Sequence, residues 1–247
     1  MKVLICIGHV PDTTSKIRFT DNETKFDKTD IQFIIGPYEE LALTRLLDIK
    51  DAGLDLQITA INVGSAETEA TLRKALAMGA DEAIRVNADP TDAFFTAKQI
   101  AEVYKTGNYD FIVTGKESID YNGGQVDGMI AEILGIPSIP AASKFEFVGT
   151  TAKIEREIDG GKEVVEAVFP FVIAAQKGFA AEPRIPGMRG IMAARKKQLV
   201  IVEPVSQENC TKITKHYMPE AKSACKKISA EHVEELVRLL HEEAKVI

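Results

Sequence analysis

The sequence predicts an α/β fold: a doubly wound, mostly parallel sheet with helices on both faces, followed by an extended C-terminal arm that ends in an amphipathic helix. Short continuous apolar runs, typical of strands buried on both faces, alternate four times with segments of helical apolar spacing. Such alternation favours parallel strands joined by right-handed crossovers. Beyond residue 203 the chain becomes polar. We therefore expect an α/β domain over residues 1–203 and an arm over residues 204–247.

The composition excludes several classes of protein. The formal charge of -7 and a pI near 5.3 argue against a nucleic-acid-binding surface. The three cysteines form no CxxC pair, so we expect neither a disulfide framework nor a metal site. We also expect the protein to work in a reducing compartment. No apolar run approaches the roughly 20 residues that a membrane span requires. The first residues are predicted to form a strand rather than a signal or transit peptide.

Four strand and helix pairs are predicted up to residue 137. The strands cover residues 3–7, 56–63, 83–86 and 111–113, and the helices cover residues 37–53, 66–78, 90–103 and 126–134. Ser65 is predicted to cap the second helix. Asp89 is predicted to cap the third, with Pro90 at its first position and Asp92 at its third. A polar stretch over residues 15–30 is interpreted as a hairpin or flap. His9, which has no Ser, Cys or carboxylate partner placed beside it, is interpreted as a polar loop residue.

The stretch from residue 109 to 137 is the best candidate for a ligand site. It reads as a strand, a glycine-bearing loop and a helix. Gly123 and Gly124 let the backbone approach a ligand and turn its amides toward a phosphate at the helix N-terminus. The stretch contains neither GxxxxGK[ST] nor GxGxxG. A well-capped connection without any ligand is the alternative.

After Pro137 the pattern changes from strand and helix to strand and strand. Strands are predicted over residues 145–148, 154–158, 163–169, 171–175 and 199–202, with a tight turn at 159–161. Residues 181–190 are predicted to form a loop, residues 191–197 a short helix, and residues 206–229 a linker. The last segment, residues 230–244, is an amphipathic helix that must find a groove on this chain or on a partner.

Three segments together resemble the beta subunit of electron-transfer flavoprotein. Residues 154–174, with the run IEREIDGGKE, are similar to the family's signature. Residues 182–197 are similar to its partner-recognition loop and following helix, and residues 115–125 to its nucleotide loop. The order and spacing hold from residue 1 to about residue 203.

The resemblance implies an adenine nucleotide alpha hydrolase-like fold and a carrier subunit rather than an enzyme. The family's alpha subunit holds the redox-active FAD, and the beta subunit holds a structural AMP while its C-terminal arm wraps the partner. Electrons come from flavin dehydrogenases, such as acyl-CoA dehydrogenases, and go to a membrane quinone reductase or similar acceptor. We accordingly expect a heterodimeric protein of the bacterial cytoplasm that is not membrane-embedded.

The resemblance also assigns residues. The expected AMP contacts are Cys6, Gly36, Pro37, Tyr38, Glu39, Val63, Gly115, Lys116, Glu117, Ser118, Ile119, Asp120, Tyr121, Asn122, Gly123, Gly124, Gln125 and Val126. Thr13 and Tyr38 match positions near the partner's flavin, and Glu157 matches a position at the hinge of the flavin domain. The expected recognition residues are Glu182, Pro183, Arg184, Ile185, Met188, Arg189 and Ile191, with Met188 as the apolar anchor. No catalytic residue and no metal ligand is assigned.

Two other functions stay open. Bifurcating members of the family bind a second FAD in place of AMP and oxidise NADH, and this chain resembles them in its 10–13 loop and in Gln125. AMP is favoured because residues 116–118, together with Tyr121 and Asn122, depart from the bifurcating loop. A free-standing adenine-nucleotide binder or hydrolase ranks last because the chain lacks a Ser-His-Asp set, a metal-ligand cluster and an SGGxDS loop.

Overall fold

The computed structural model describes residues 1–90, 92–222 and 224–247. The described residues form thirteen strands: β1 Lys2–Cys6, β2 His9–Pro11, β3 Phe19–Thr20, β4 Lys25–Phe26, β5 Phe33–Ile35, β6 Gln57–Gly64, β7 Glu82–Asn87, β8 Phe111–Gly115, β9 Ser138–Val148, β10 Thr151–Ile158, β11 Gly161–Val168, β12 Val172–Ala175 and β13 Leu199–Val202. They also form six α-helices: α1 Pro37–Asp51, α2 Glu69–Met78, α3 Ala93–Gly107, α4 Val126–Leu134, α5 Met188–Ala194 and α6 Val233–Glu242. Single 3-10 turns, Ala66–Thr68 and Ala230–His232, precede α2 and α6.

A single large sheet organises the chain. Its nine strands lie in the order β11-β10-β9-β12-β8-β1-β6-β7-β13. From β9 to β13 every neighbouring pair in that order is parallel, whereas β10 and β11 add an antiparallel hairpin at one edge. The predicted mostly parallel, doubly wound fold is therefore confirmed.

Helices cover both faces of the sheet because side chains alternate along each buried strand. Val3 and Ile5 of β1 belong to the larger apolar cluster, which contains buried residues of α1, α2 and α5. Leu4, between them, belongs to the second cluster, which contains buried residues of α3 and α4. The continuous apolar runs of the sequence are thus explained by burial on two sides.

Strand β9 is longer than predicted. Its first residues pair in parallel with β12 and its last residues pair antiparallel with β10. Ala142 pairs with both neighbours, and Ala141 before it has a φ of 54°, where the register of β9 with β12 is irregular. Pro140 concealed this extension because a proline argues against a central strand.

One predicted helix start, at Asp89, is wrong, and the predicted cap at Ser65 has the right position but lacks a side-chain bond. Helix α3 begins at Ala93 and is capped by Asp92, whose Oδ1 accepts from the Phe95 amide at 2.7 Å; Asp89 and Pro90 lie before the helix, and Thr91 is outside the described residues. Ser65 makes no side-chain capping bond, and its carbonyl instead accepts from the Thr68 hydroxyl at 2.9 Å.

Helix α5 begins at Met188, earlier than residue 191, so the predicted loop is partly helical. A Cβ on Gly190 would lie 2.3 Å from the Ala77 carbonyl oxygen of α2. The glycine therefore permits close contact between the two helices.

The last residues follow the domain surface before α6. Gln99 of α3 bonds to the backbone of Val205. Farther along, His216 stacks on Phe19 of the β3–β4 hairpin with ring centroids 4.7 Å apart, and its amide donates to the Glu23 carbonyl at 2.7 Å. Helix α6 buries none of its residues, so its apolar side lies open.

Candidate functional site

The carboxyl ends of β8, β1 and β6, which lie side by side in the sheet, define the candidate site; we call this region the carboxyl edge. Gly115 ends β8, Cys6 ends β1, and Val63 lies one residue before the end of β6. Helix α1 begins beside this edge with Gly36 at its N-cap and Pro37 at its first position. Open parallel sheets bind ligands at such edges. The fold thus brings predicted residues of three separate segments to the carboxyl edge.

The Glu39 carboxyl is enclosed by three glycines at the carboxyl edge. A Cβ on Gly36 would lie 2.1 Å from Glu39 Oε2, one on Gly115 would lie 2.8 Å from its Cδ, and one on Gly8 would lie 3.0 Å from its Oε1. Real side chains do not approach so closely, so the glycines make the space in which this carboxyl sits. Only 6% of Glu39 is exposed.

Burial changes the protonation of this carboxyl. Loss of water raises the pKa of Glu39 to about 7, the negative charge of Asp120 adds to the rise, and the Glu39 backbone amide opposes it. The pKa of the Cys6 thiol is also raised, first by its own burial and then by Glu39. Cys6 is therefore a neutral thiol and not a reactive thiolate.

Four buried side-chain atoms near the carboxyl edge find no hydrogen-bond partner among the described residues: Glu39 Oε2, Asn62 Oδ1, Thr114 Oγ1 and His9 Nε2. Asn62 lies on β6 and Thr114 on β8, each within the last three residues of its strand. A buried polar group without a partner costs about 1 to 3 kcal/mol. A polar ligand at this edge would remove that cost.

Sequence reasoning missed Asn62 and Thr114 and underrated His9. The imidazole Nδ1 of His9 lies 2.7 Å from the Thr71 hydroxyl, and its ring stacks on Phe33 with centroids 4.3 Å apart. His9 begins β2 and its side chain is held by these contacts, so the prediction of a polar loop residue is wrong. The available indication for Asn62 and Thr114 was their polarity within apolar strands.

The glycine-bearing loop, residues 116–125, joins β8 to α4. Its first residues are half-buried and residues 120–125 are exposed. The Lys116 amide bonds to the Ala175 carbonyl at 2.8 Å, and the Asn122 amide bonds to the Ser118 carbonyl at 2.7 Å. Asn122 and Gly124 have positive φ angles of 50° and 55°. These features give the loop a defined turn before the helix.

The loop ends at the N-terminus of α4, where the buried Asp127 carboxyl accepts from its own amide and from that of Gly128. Gln125 flanks the helix but its side chain makes no capping bond. The four first amides of a helix lack intrahelical partners and attract anions. Lys116, whose ammonium lies 5.9 Å from the Tyr38 ring centroid and 3.5 Å from Glu117, supplies a positive charge in the same loop.

The two positions assigned to the flavin edge differ in exposure. Tyr38 is half-buried against Lys116, whereas Thr13 is exposed in the turn that follows β2. Asp12 fixes that turn by accepting from the Thr14 amide at 2.8 Å. Glu157 is exposed near the tip of the β10–β11 hairpin, where it pairs in register with Lys162.

The recognition loop, residues 182–191, presents apolar side chains to solvent. Ile185 is 91% exposed and Met188 is 75% exposed. Arg184 is instead engaged within the chain: its Nε lies 3.0 Å from Asp48, its Nη1 lies 2.7 Å from Asp51, and its amide bonds to Thr44. Glu182, Pro183, Arg189 and Ile191 are exposed. Arg184 therefore anchors the loop to α1 while the apolar tips stay free.

No group of three or more His, Cys, Asp or Glu side chains within residues 1–90, 92–222 and 224–247 is arranged to hold a metal ion. The same residues include no helix with the length and apolar character needed to cross a bilayer.

The chain is similar in sequence to known proteins of one family. Residues 24–206 match the family model described as the electron transfer flavoprotein domain. The electron transfer flavoprotein subunit beta of Syntrophomonas wolfei is 38% identical over 232 residues, which cover 94% of this chain and 91% of that protein. The protein of the same name from Bacillus subtilis is 34% identical over the full length of both chains. The human subunit beta is 31% identical over 83% of this chain and 82% of its own. The chain therefore belongs to the electron transfer flavoprotein beta-subunit family.

Proposed function

We propose that this chain is the beta subunit of a heterodimeric electron carrier, and that it holds an AMP at the carboxyl edge while its alpha partner holds FAD. Bound FAD supplies the redox chemistry, accepting electrons from a flavin dehydrogenase and passing them to a quinone reductase or similar acceptor. The chain's own role is to bind, orient and support. Family membership carries the electron-transfer part of this proposal.

The observation that carries nucleotide binding is the set of buried, unpaired polar atoms at the carboxyl edge, counted over the described residues. These atoms fit a ligand with several hydrogen-bonding groups, and AMP has such groups on its base, ribose and phosphate. Cys6 and Val63 would contact the base end, and residues 36–39 the middle. The loop amides of residues 115–126, with Lys116, suit a phosphate at the α4 N-terminus.

The recognition loop gives the dehydrogenase a contact surface. Met188 is the proposed anchor because an exposed, flexible thioether can fill an apolar pocket on a partner. Ile185, Ile191 and the polar residues Glu182 and Arg189 surround it in the sequence. The bonds of Arg184 to α1 keep this surface in place before the partner arrives.

The arm, residues 204–247, is proposed to wrap around the alpha subunit. Val233, Leu236 and Val237 of α6 are 54%, 42% and 51% exposed, which leaves an apolar strip for a partner to cover. Thr13 and Tyr38 are proposed to face the partner's flavin, and Glu157 to meet the moving flavin domain.

The test is to co-express the chain with its alpha partner, precipitate the purified complex in acid and quantify the released nucleotides by chromatography. One FAD and one AMP per heterodimer are expected. Two FAD per heterodimer would replace the proposal with the bifurcating alternative, in which NADH oxidation should then be measurable. If no flavin-bearing partner co-purifies, the proposed subunit role is wrong.

A further inference from the structure

Glu39 occupies the middle of the carboxyl edge. Its carboxyl lies against Gly115, which ends β8, and against Gly8, which follows β1. The proposed base contacts, Cys6 and Val63, lie toward β1 and β6, and the proposed phosphate loop begins at β8. In a nucleotide that spans these two ends, the ribose would lie between them, next to Glu39.

The chemistry of the Glu39 carboxyl suits a place beside a ribose. Oε2 is buried and lacks a hydrogen-bond partner in the described part of the chain. A carboxylate oxygen accepts hydrogen bonds and repels phosphate, whereas a ribose hydroxyl can donate one. Acidic side chains serve this purpose in other nucleotide-binding sheets, where they bond to the ribose hydroxyl.

We propose that Glu39 Oε2 accepts a hydrogen bond from a ribose hydroxyl of the bound nucleotide and so selects ribonucleotides over deoxyribonucleotides. This inference rests on the proposed function, since it requires an adenine nucleotide at the carboxyl edge. The three glycines around the carboxyl are the structural device that makes the contact possible, because a side chain at Gly36 or Gly115 would occupy the space of the carboxyl.

The adjacent acid supplies a matched control. Glu40 follows Glu39 in the first turn of α1, but it is half-buried and its carboxylate lies 3.0 Å from Lys74. A change at Glu40 therefore removes the same kind of group from the same turn without touching the glycine-lined space.

The experiment uses the heterodimer after its nucleotide has been removed with a mild chaotrope and dialysis. Binding of AMP, 2′-deoxy-AMP and 3′-deoxy-AMP is measured by titration calorimetry for the wild type and for Glu39→Met, Glu39→Gln and Glu40→Gln. We expect the wild type to bind at least one deoxynucleotide about tenfold more weakly than AMP, the loss expected for one hydrogen bond. Glu39→Met should bind AMP and the deoxynucleotides equally, whereas Glu39→Gln, which keeps an acceptor oxygen, and Glu40→Gln should discriminate as the wild type does.

The outcomes separate the two proposals. If the wild type binds AMP but shows equal affinity for both deoxynucleotides, the role of Glu39 is overturned and the nucleotide site stands. If Glu39→Met still prefers AMP over the deoxynucleotides as the wild type does, another residue bonds to the ribose hydroxyl and the proposal for Glu39 is wrong. If the stripped heterodimer binds none of the three nucleotides, AMP binding itself fails. The comparison of nucleotides on the wild type does not depend on the folding of any variant.

Discussion

The Gln99 side chain pairs with the Val205 backbone as a neighbouring peptide would. Its Nε2 donates to the Val205 carbonyl at 2.9 Å, and the Val205 amide donates to its Oε1 at 2.8 Å. Gln99 is only 2% exposed. The domain therefore fixes the first residues of the arm with a buried side chain of α3, and the path of the arm begins from a defined point.

This pairing predicts the effect of Gln99→Met. The variant keeps the side-chain size but leaves two backbone groups without partners, which should lower the free energy of unfolding by about 1 to 3 kcal/mol. Urea unfolding of the purified chain measures it. Gln207→Met is the control, because within residues 1–90, 92–222 and 224–247 the Gln207 side chain bonds to nothing beyond the adjacent Glu208 carbonyl. Equal losses in the two variants would show that Gln99 has no special role.

The cap of α3 gives a second prediction. Asp92 accepts from the Phe95 amide and, through Oδ2, from the amides of Cys210 and Thr211 at 2.6 and 2.9 Å. Asp92→Ala should therefore lower the free energy of unfolding by about 1 to 2 kcal/mol and speed proteolysis between residues 204 and 229. Asp89→Ala should leave both measurements near the wild type. A larger effect at Asp89 would restore the helix start that the sequence suggested.

The raised pKa of Glu39 gives a pH prediction for the nucleotide-free chain. The native carboxyl has a pKa of about 7 against a reference of 4.5, so the native state binds more protons than the unfolded state between these values. The free energy of unfolding should fall as the pH rises through this window, by about 3 kcal/mol. The free energy of unfolding of Glu39→Gln should not fall in this window. Relative to the wild type, the variant should therefore be more stable at pH 8 than at pH 5.

Urea unfolding of the wild type and of Glu39→Gln at pH 5 and pH 8 tests this pH dependence, with Glu40→Gln as the control. Two further ionisable groups interact with this carboxyl: Asp120 raises the pKa of Glu39, and Glu39 raises the pKa of Cys6. A wild type and a Glu39→Gln variant with parallel pH profiles would contradict the raised pKa.

Two glycines in helices, Gly190 of α5 and Gly128 of α4, should respond in opposite ways to replacement by alanine. Gly190→Ala would place a methyl group 2.3 Å from the Ala77 carbonyl oxygen, so the helices must separate at a cost of about 1 to 3 kcal/mol. Gly128→Ala in α4 meets nothing within 4 Å and should stabilise by about 0.5 to 1 kcal/mol. Thermal unfolding of both variants measures this. A neutral Gly190→Ala would mean that the helices are not held in contact.

The last prediction concerns partner recognition. Met188→Ala removes an exposed side chain, so folding and FAD content should stay unchanged, while burial of the lost apolar tip is worth about 1.5 to 3 kcal/mol in a complex. We expect the kcat/KM of electron transfer from a flavin dehydrogenase to fall about tenfold or more. Met192→Ala, on the same helix and 66% exposed, is the control. Unchanged transfer in Met188→Ala would remove its anchor role.

The amino-acid sequence determined the alternation of strands and helices, because apolar spacing records which sides of an element are buried. Strand β13, Leu199–Val202, was predicted with its observed bounds, and the 116–125 loop was recognised from its glycines. The bounds of β9 and the start of α3 were not, because Pro140 and Pro90 gave local indications that distant partners overruled.

What only the tertiary structure decided is the state of the polar groups. Two adjacent acids of α1 show this: Glu39 is buried among three glycines, whereas Glu40 is half-buried and paired with Lys74. Likewise, only the fold shows that Arg184 pairs with Asp48 and Asp51 of α1. Apolar periodicity is a local property of the chain, whereas the burial, pairing and pKa of a polar group depend on neighbours that are distant in sequence and become adjacent only when the chain folds.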